Sequence, residues 1–152
     1  MLMTRRSLLV LSAAALAACG RRPAPVSRAP MAPGATPEMM ALVAKYADIH
    51  EIPESLIHRV IQRESDYNPG ARNGPYYGLM QILPQTAQTM GYDGPPEGLL
   101  DAETNLMYAG KYLRGAWLVS GGSEESAVMW YAKGYYYEAK RMGLLEETGL
   151  RT

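Results

Sequence analysis

"RESDYNPGARNGPYYGLMQ", Arg63 to Gln81, joins the end of an apolar stripe to a run of turn residues. Upstream of it, Leu56, Ile57, Val60 and Ile61 recur at steps of three and four, the spacing of one helix face in a segment that starts at Glu54 after the break at Ile52-Pro53. Glu64 follows Ile61 by three residues, Val60 by four and Ile57 by seven, so a helix carries its carboxyl group on the apolar side. Burial there disfavours the charged form and raises the pKa, which is what a general acid working near neutral pH requires. The competing reading is a helix-end glutamate that reaches water or pairs with Arg59 or Arg63. Asn68-Pro69-Gly70 and Asn73-Gly74-Pro75 are turn chemistry, so the chain leaves the helix after Glu64 and forms an ordered loop. Tyr76, Tyr77 and the Gln81 amide then bring flat apolar faces and hydrogen-bonding groups, the mixture that a sugar polymer takes.

Helical spacing extends on both sides of this stretch. From Glu38 onward, Met39, Leu42, Val43, Tyr46 and Ile49 share one face. Pro84 predicts a short helix over Gln85 to Met90, closed by Gly91 as a left-handed cap. Asp101 caps a longer helix through Leu113 and Trp117 to Val119, and Gly121-Gly122 stops it. Ser123 caps a last segment that carries Ala127, Val128 and Tyr131 and extends toward Arg141. Tyrosines 135 to 137 add phenols to that segment, placed to pack back across a cleft. No stretch alternates for long enough to demand a strand, so the class is mainly α.

With 152 residues, 47% of them hydrophobic and 20% charged, the chain suits one globular domain with an appended tail. Its formal net charge of zero leaves no electrostatic footprint for nucleic acid. His50 and His58 stand eight residues apart and read as surface or partly buried side chains rather than a metal site. No phosphate loop or dinucleotide fingerprint is present, and no cofactor is implied.

The first 18 residues read as an export signal. Arg5 and Arg6 precede an apolar run of 11 residues, Leu8 to Ala18, too short for a spanning helix of about 20. Leu16-Ala17-Ala18-Cys19 resembles the bacterial lipobox, in which the signal is cut before a cysteine that is then lipidated, and the chain's single cysteine stands there. Thr4-Arg5-Arg6-Ser7-Leu8-Leu9 also resembles a twin-arginine signal, so the export route stays open. Gly20 after Cys19, rather than Asp, resembles the pattern sent to the outer membrane. Cleavage removes Arg5 and Arg6, taking the basic count from 15 to 13 against 15 acids, a net charge of −2. Residues 20 to 37 hold five prolines and few large apolar groups, so residues 19–37 read as a lipidated cysteine and an extended tether before a domain over 38–146.

"RESDYNPGA", "GLMQILPQTA" and "LLDAETNLMYAGKYLRG", in this order and spacing, resemble the soluble lytic transglycosylase family of the lysozyme-like superfamily over residues 38 to 142. The resemblance implies a single lysozyme-like domain with a substrate cleft. It carries the family's single catalytic acid/base onto Glu64, and Ser65 takes the second place of the Glu-Ser motif. Met80 and Gln81 match the cleft-lining end of Gly-Leu-Met-Gln, and Tyr131 the tyrosine that helps place glutamate and substrate. With Tyr76 and Tyr77 these form the expected substrate-binding set. Two departures stand out. Arg72 and Gly74-Pro75-Tyr76 replace the family's Ser and Gly-Ala, and Tyr131-Ala132-Lys133-Gly134 replaces Tyr-Asn-Ala-Gly, losing the Asn amide.

Ordinary glycosidases use two carboxylates. Here Asp66 reads as a turn residue and Asp101 as a cap, which leaves Glu64 alone. The resemblance implies cleavage of peptidoglycan between N-acetylmuramic acid and N-acetylglucosamine, with the muramic 6-hydroxyl closing a 1,6-anhydro ring. A muramidase that uses water and a non-catalytic peptidoglycan-binding lipoprotein stay open as alternatives. The expected setting is periplasmic, anchored to the outer membrane through Cys19, with glycan strands as partner and room for an envelope or secretion-machine protein.

Overall fold

Helix α4 organises the molecule. A computed structural model describes residues 32–151; the stretch read as an export signal, Cys19 and most of the expected tether lie outside them. In chain order the elements are α1 (Pro37–His50), α2 (Glu54–Glu64), a two-stranded ribbon of β1 (Arg72–Asn73) and β2 (Tyr76–Tyr77), α3 (Pro84–Thr89), a 3-10 turn (Pro96–Leu100), α4 (Ala102–Val119), α5 (Glu124–Lys133) and α6 (Tyr136–Met142). Leu106, Ala109, Leu113 and Ala116 form a fully buried stripe on α4, spaced by three and four residues. Around that stripe pack α1, α3, α5, α6 and the 3-10 turn, while α2 lies against α1 and α5.

The caps explain the helix starts. The Asp101 side chain accepts from the Thr104 N–H at 2.8 Å, and Ser123 accepts from the Ser126 N–H at 3.2 Å. Pro84 occupies the first turn of α3, which needs no N–H there. The folded part starts earlier than the helical spacing indicates. Thr36 caps α1, Pro37 opens it, and Ala35 is already buried in the core. Packing also continues past 146, where Thr148 is buried and Leu150 lies against the core.

Two side chains of α1 exchange the places expected of them. Ile49 is half exposed, whereas His50 is buried and completes the inner face of Met39, Val43 and Tyr46. The His50 Nε2 lies 2.9 Å from the Leu106 carbonyl oxygen. Gly110 makes room for the ring, because a Cβ there would stand 2.5 Å from it. Burial lowers the imidazole pKa below its ordinary 6.5; the bond to the Leu106 carbonyl opposes that shift, and Arg114 and Lys111 add to it. His58, partly buried, bonds instead to the Tyr67 hydroxyl at 2.8 Å.

The last helical segment is also interrupted. Gly134, with φ of 81°, ends α5, and α6 starts afresh at Tyr136.

The ribbon is too short to announce itself by alternation. Arg72 pairs with Tyr77 and Asn73 with Tyr76, leaving Gly74-Pro75 as a two-residue turn. Beyond it, residues 77 to 82 close a tight loop in which Tyr77 and Ile82 exchange both backbone hydrogen bonds, at 3.0 and 3.1 Å.

Asn105, fully buried on α4, secures this loop from beneath. Its Oδ1 accepts from the Met80 N–H at 2.9 Å, and its Nδ2 donates to the carbonyls of Tyr77 (2.9 Å) and Leu99 (2.8 Å). Gly78 lies directly on the amide: a Cβ there would come within 2.3 Å of the Asn105 nitrogen and of the Leu99 oxygen, and its φ is +77°. Replacing Asn105 by Ala removes the partner of the buried Met80 N–H and of the Leu99 carbonyl, and one of the two partners of the Tyr77 carbonyl, and should lower the unfolding free energy in urea by about 3 kcal/mol. A loss below about 1 kcal/mol would show that something else holds the loop.

Candidate active site

Glu64 is the last residue of α2, and the backbone turns sharply behind it. The N–H groups of Ser65 and Asp66 both bond to the Ile61 carbonyl at 3.0 Å, and Asp66 and Tyr67 then adopt φ of 50° and 65°. Two consecutive left-handed residues without glycine are costly, so surrounding contacts must hold them. Tyr67 is buried and bonded to His58, and the Asn68 side chain accepts from the Gly70 N–H at 3.0 Å as the turn chemistry anticipates. The Ser65 hydroxyl donates to the Leu79 carbonyl at 2.7 Å, tying the helix end to the 77–82 loop. Glu64 is thereby held opposite Gln81 and the α5 residue Tyr131.

Together these elements enclose a cleft of two compartments. The first, about 220 Å³, is lined by Arg63, Glu64, Asn73, Tyr76, Gln81, Tyr131 and Ala132. The second, about 240 Å³, shares Tyr76, Gln81, Tyr131 and Ala132 with it and continues past Leu83, Thr86, Tyr112 and Lys133. Tyr76, Tyr112 and Tyr131 bring aromatic faces and Asn73 and Gln81 bring amides, a mixture that suits a sugar polymer.

The Glu64 side chain is 25% exposed. Burial raises its pKa above the ordinary 4.5, and Arg63, whose Nε lies 3.6 Å from the carboxylate, opposes that shift without overcoming it. The Tyr131 hydroxyl donates to the Met80 carbonyl at 2.8 Å. Its pKa lies well above the phenolic range, chiefly through burial and then through the charge on Glu64, so it acts as a neutral donor. The Gln81 Nε2 donates to the carbonyls of Gly78 (2.8 Å) and Ala71 (3.1 Å). Its Oε1 is buried with no hydrogen-bond partner among the described residues, and its backbone sits at φ 50°.

Of the residues singled out from the sequence, Glu64, Tyr76, Gln81 and Tyr131 meet around one compartment. Ser65, Tyr77 and Met80 line neither compartment. The Met80 side chain is fully buried, and only its backbone serves the site, through Asn105 and Tyr131. Tyr77 is buried too, with its hydroxyl accepting from Arg72 Nη2 at 2.6 Å and the guanidinium 4.4 Å from the ring centre. These three build the cleft wall from behind. The three consecutive tyrosines do not cross the cleft. Tyr135 is buried and donates to the Tyr112 carbonyl at 2.8 Å, while Tyr137 is 83% exposed.

Sequence reasoning missed Asn105 and Tyr112, and it read Asn73 only as a turn residue. A fully polar side chain one residue before Leu106 and four before Ala109 was the available signal for Asn105. Asp66 is exposed in its turn and Asp101 is engaged as a cap, so among the described residues Glu64 is the one carboxylate lining the two compartments. Among those residues no group of three His, Cys, Asp or Glu could hold a metal ion.

A carboxyl group in this setting can give a proton near neutral pH and take one back. Because the folded pKa is raised, the folded state holds a proton that the unfolded state has released, and stability falls as pH rises through the interval above 4.5. Glu64→Gln, which carries no charge to bury, should therefore be the more stable chain at about pH 7, with the difference vanishing toward about pH 3.5, measured by urea unfolding at both. A less stable Gln variant at neutral pH would reverse the assigned shift.

The transglycosylase SLT domain family matches residues 41–143, which contain the cleft, every residue lining it and all the helices but the first turn of α1. The chain belongs to that family, and so to the lysozyme-like superfamily, as an enzyme of the lytic transglycosylase type acting on peptidoglycan.

Proposed function

We propose that the domain cleaves the β-1,4 bond between N-acetylmuramic acid and N-acetylglucosamine without water, leaving 1,6-anhydromuramic acid ends. The observation that carries this reading is that, among the described residues, Glu64 is the one carboxylate lining the two main compartments of the cleft. A hydrolase of the usual kind needs a second carboxylate to activate water or to form a covalent intermediate. One acid suffices when the substrate supplies the nucleophile.

Protonated Glu64 donates to the bridging oxygen as the bond to the muramic C1 breaks, and the sugar's own N-acetyl oxygen assists the departure. The carboxylate then removes the proton of the same sugar's 6-hydroxyl, whose oxygen closes on C1. Glu64 returns to its starting form, and no water enters the product. Intramolecular attack has the orientation advantage of a unimolecular step. Tyr131 and Gln81 stand where they can orient the sugar against Glu64, and Tyr76 offers a stacking face, being 43% exposed.

Purified sacculi test this directly. Wild type should release muropeptides one water lighter than reducing-end products by mass, and Glu64→Gln should lose about a thousandfold in rate. Reducing ends would assign a muramidase, and equal turbidity loss by both chains would remove Glu64 from the chemistry.

The same proposal sets the domain in the periplasm, held to the outer membrane by lipid on Cys19 and lifted from it by the Pro-rich tether. The support for it is the pattern of residues 1–37 alone. Cys19→Ser should move the protein from the membrane to the soluble fraction after cell fractionation. Unchanged membrane association would exclude a thioether-linked lipid as the anchor.

A further inference from the structure

Beyond the two compartments a third hollow, of about 310 Å³, runs along the faces of α2 and α5. It shares Arg63 with the Glu64 compartment, Lys133 with the second and Ala132 with both. It is therefore a side branch of the cleft. Its floor is apolar, from Val128 and Met129, the latter 38% exposed. Arg59, Arg63 and Lys133 set three cations along it against one carboxylate, Glu125.

These charges are not equally available. Arg59 is engaged by Glu124 at 3.1 Å, and Arg63 stands 3.6 Å from Glu64. Lys133 makes no ion pair and no hydrogen bond with any described residue within the usual contact distances, and neither does the Glu125 side chain. An unpaired cation and an unpaired carboxylate beside an apolar floor do not suit an uncharged sugar. They suit a short peptide that bears methyl groups, several carboxylates and one ammonium. Muramic acid carries such a peptide on its lactyl ether, so a glycan seated at Glu64 has this chain to place somewhere.

The local sequence supports the same occupant. Within Tyr131-Ala132-Lys133-Gly134, Ala132 stands at the junction of the three hollows and Lys133 lines the branch and the second compartment. The small Ala132 side chain leaves the junction open, and Lys133 adds charge beyond it.

We infer that this side branch binds the peptide of the muramic sugar, with Lys133 pairing with one of its carboxylates and Glu125 with its ammonium. The inference rests on peptidoglycan as the substrate. Lys133 also ends α5, where a cation complements the helix dipole, but that role gives no preference between ligands with and without a peptide.

Calorimetry on Glu64→Gln, which binds without turnover, separates these roles. The probes are a purified peptidoglycan tetrasaccharide bearing its peptides and the same saccharide after amidase removal of them. The peptide-bearing form should bind about tenfold more tightly, and added salt should shrink the gap. In the Glu64→Gln/Lys133→Glu chain the two affinities should become equal. Equal affinities in Glu64→Gln itself, or a preference that Lys133→Glu leaves intact, would overturn the inference while leaving the glycan reading in place. Failure of both saccharides to bind would overturn both. A Lys133→Arg chain that keeps the preference would confirm that charge, not the lysine's fit, is what is read.

Discussion

The amide of Asn105 is the constraint on which the site depends. One side chain in the first turn of α4 binds the Met80 N–H and two carbonyls of separate segments, all within a dry interior. A buried amide left half-bonded is destabilising, so the three bonds act as a set, and the loop has one position over the helix. From that position follow the Met80 carbonyl that receives Tyr131, the Leu79 carbonyl that receives Ser65, and the backbone that turns Gln81 inward at φ 50°. The cleft wall is thus anchored by groups that never touch substrate.

The acid itself is governed by a balance. A helix C-terminus disfavours negative charge, the apolar face of α2 withholds water, and Arg63 alone pulls the other way. Tyr131, sealed beneath it, raises no competing charge, because its own ionisation is opposed by burial and by Glu64. The two groups therefore settle into opposite roles, one exchanging a proton and the other keeping it. Conserving the charge economy of a single carboxyl group requires that no neighbour supply a second one, and the capping of Asp101 and the outward turn of Asp66 meet that condition.

Helix order, caps and the place of Glu64 were legible because they are local. Asp101, Ser123, Pro84 and Gly91 act within a turn of themselves, and the stripe from Leu56 to Ile61 sets the facing of the carboxyl group. Less local features escaped. Nothing in the spacing of α1 says that His50 rather than Ile49 turns inward, since the choice depends on Gly110 and the Leu106 carbonyl more than fifty residues away. Tyr77 and Met80 have the composition of cleft residues, yet Arg72 and Asn105 draw them into the wall.

By itself the sequence determined the helical class, the family through its motifs, and the one acid set on an apolar face, because periodicity, capping and motif spacing are properties of neighbours along the chain. Which tyrosines line the cleft, which residues merely support it, and that Lys133 and Arg63 border a common hollow emerge from the packing of distant segments. The physical reason is that burial and hydrogen-bond satisfaction are set by whatever packs opposite a side chain, and for α2, the 77–82 loop and α5 those partners come from far along the chain.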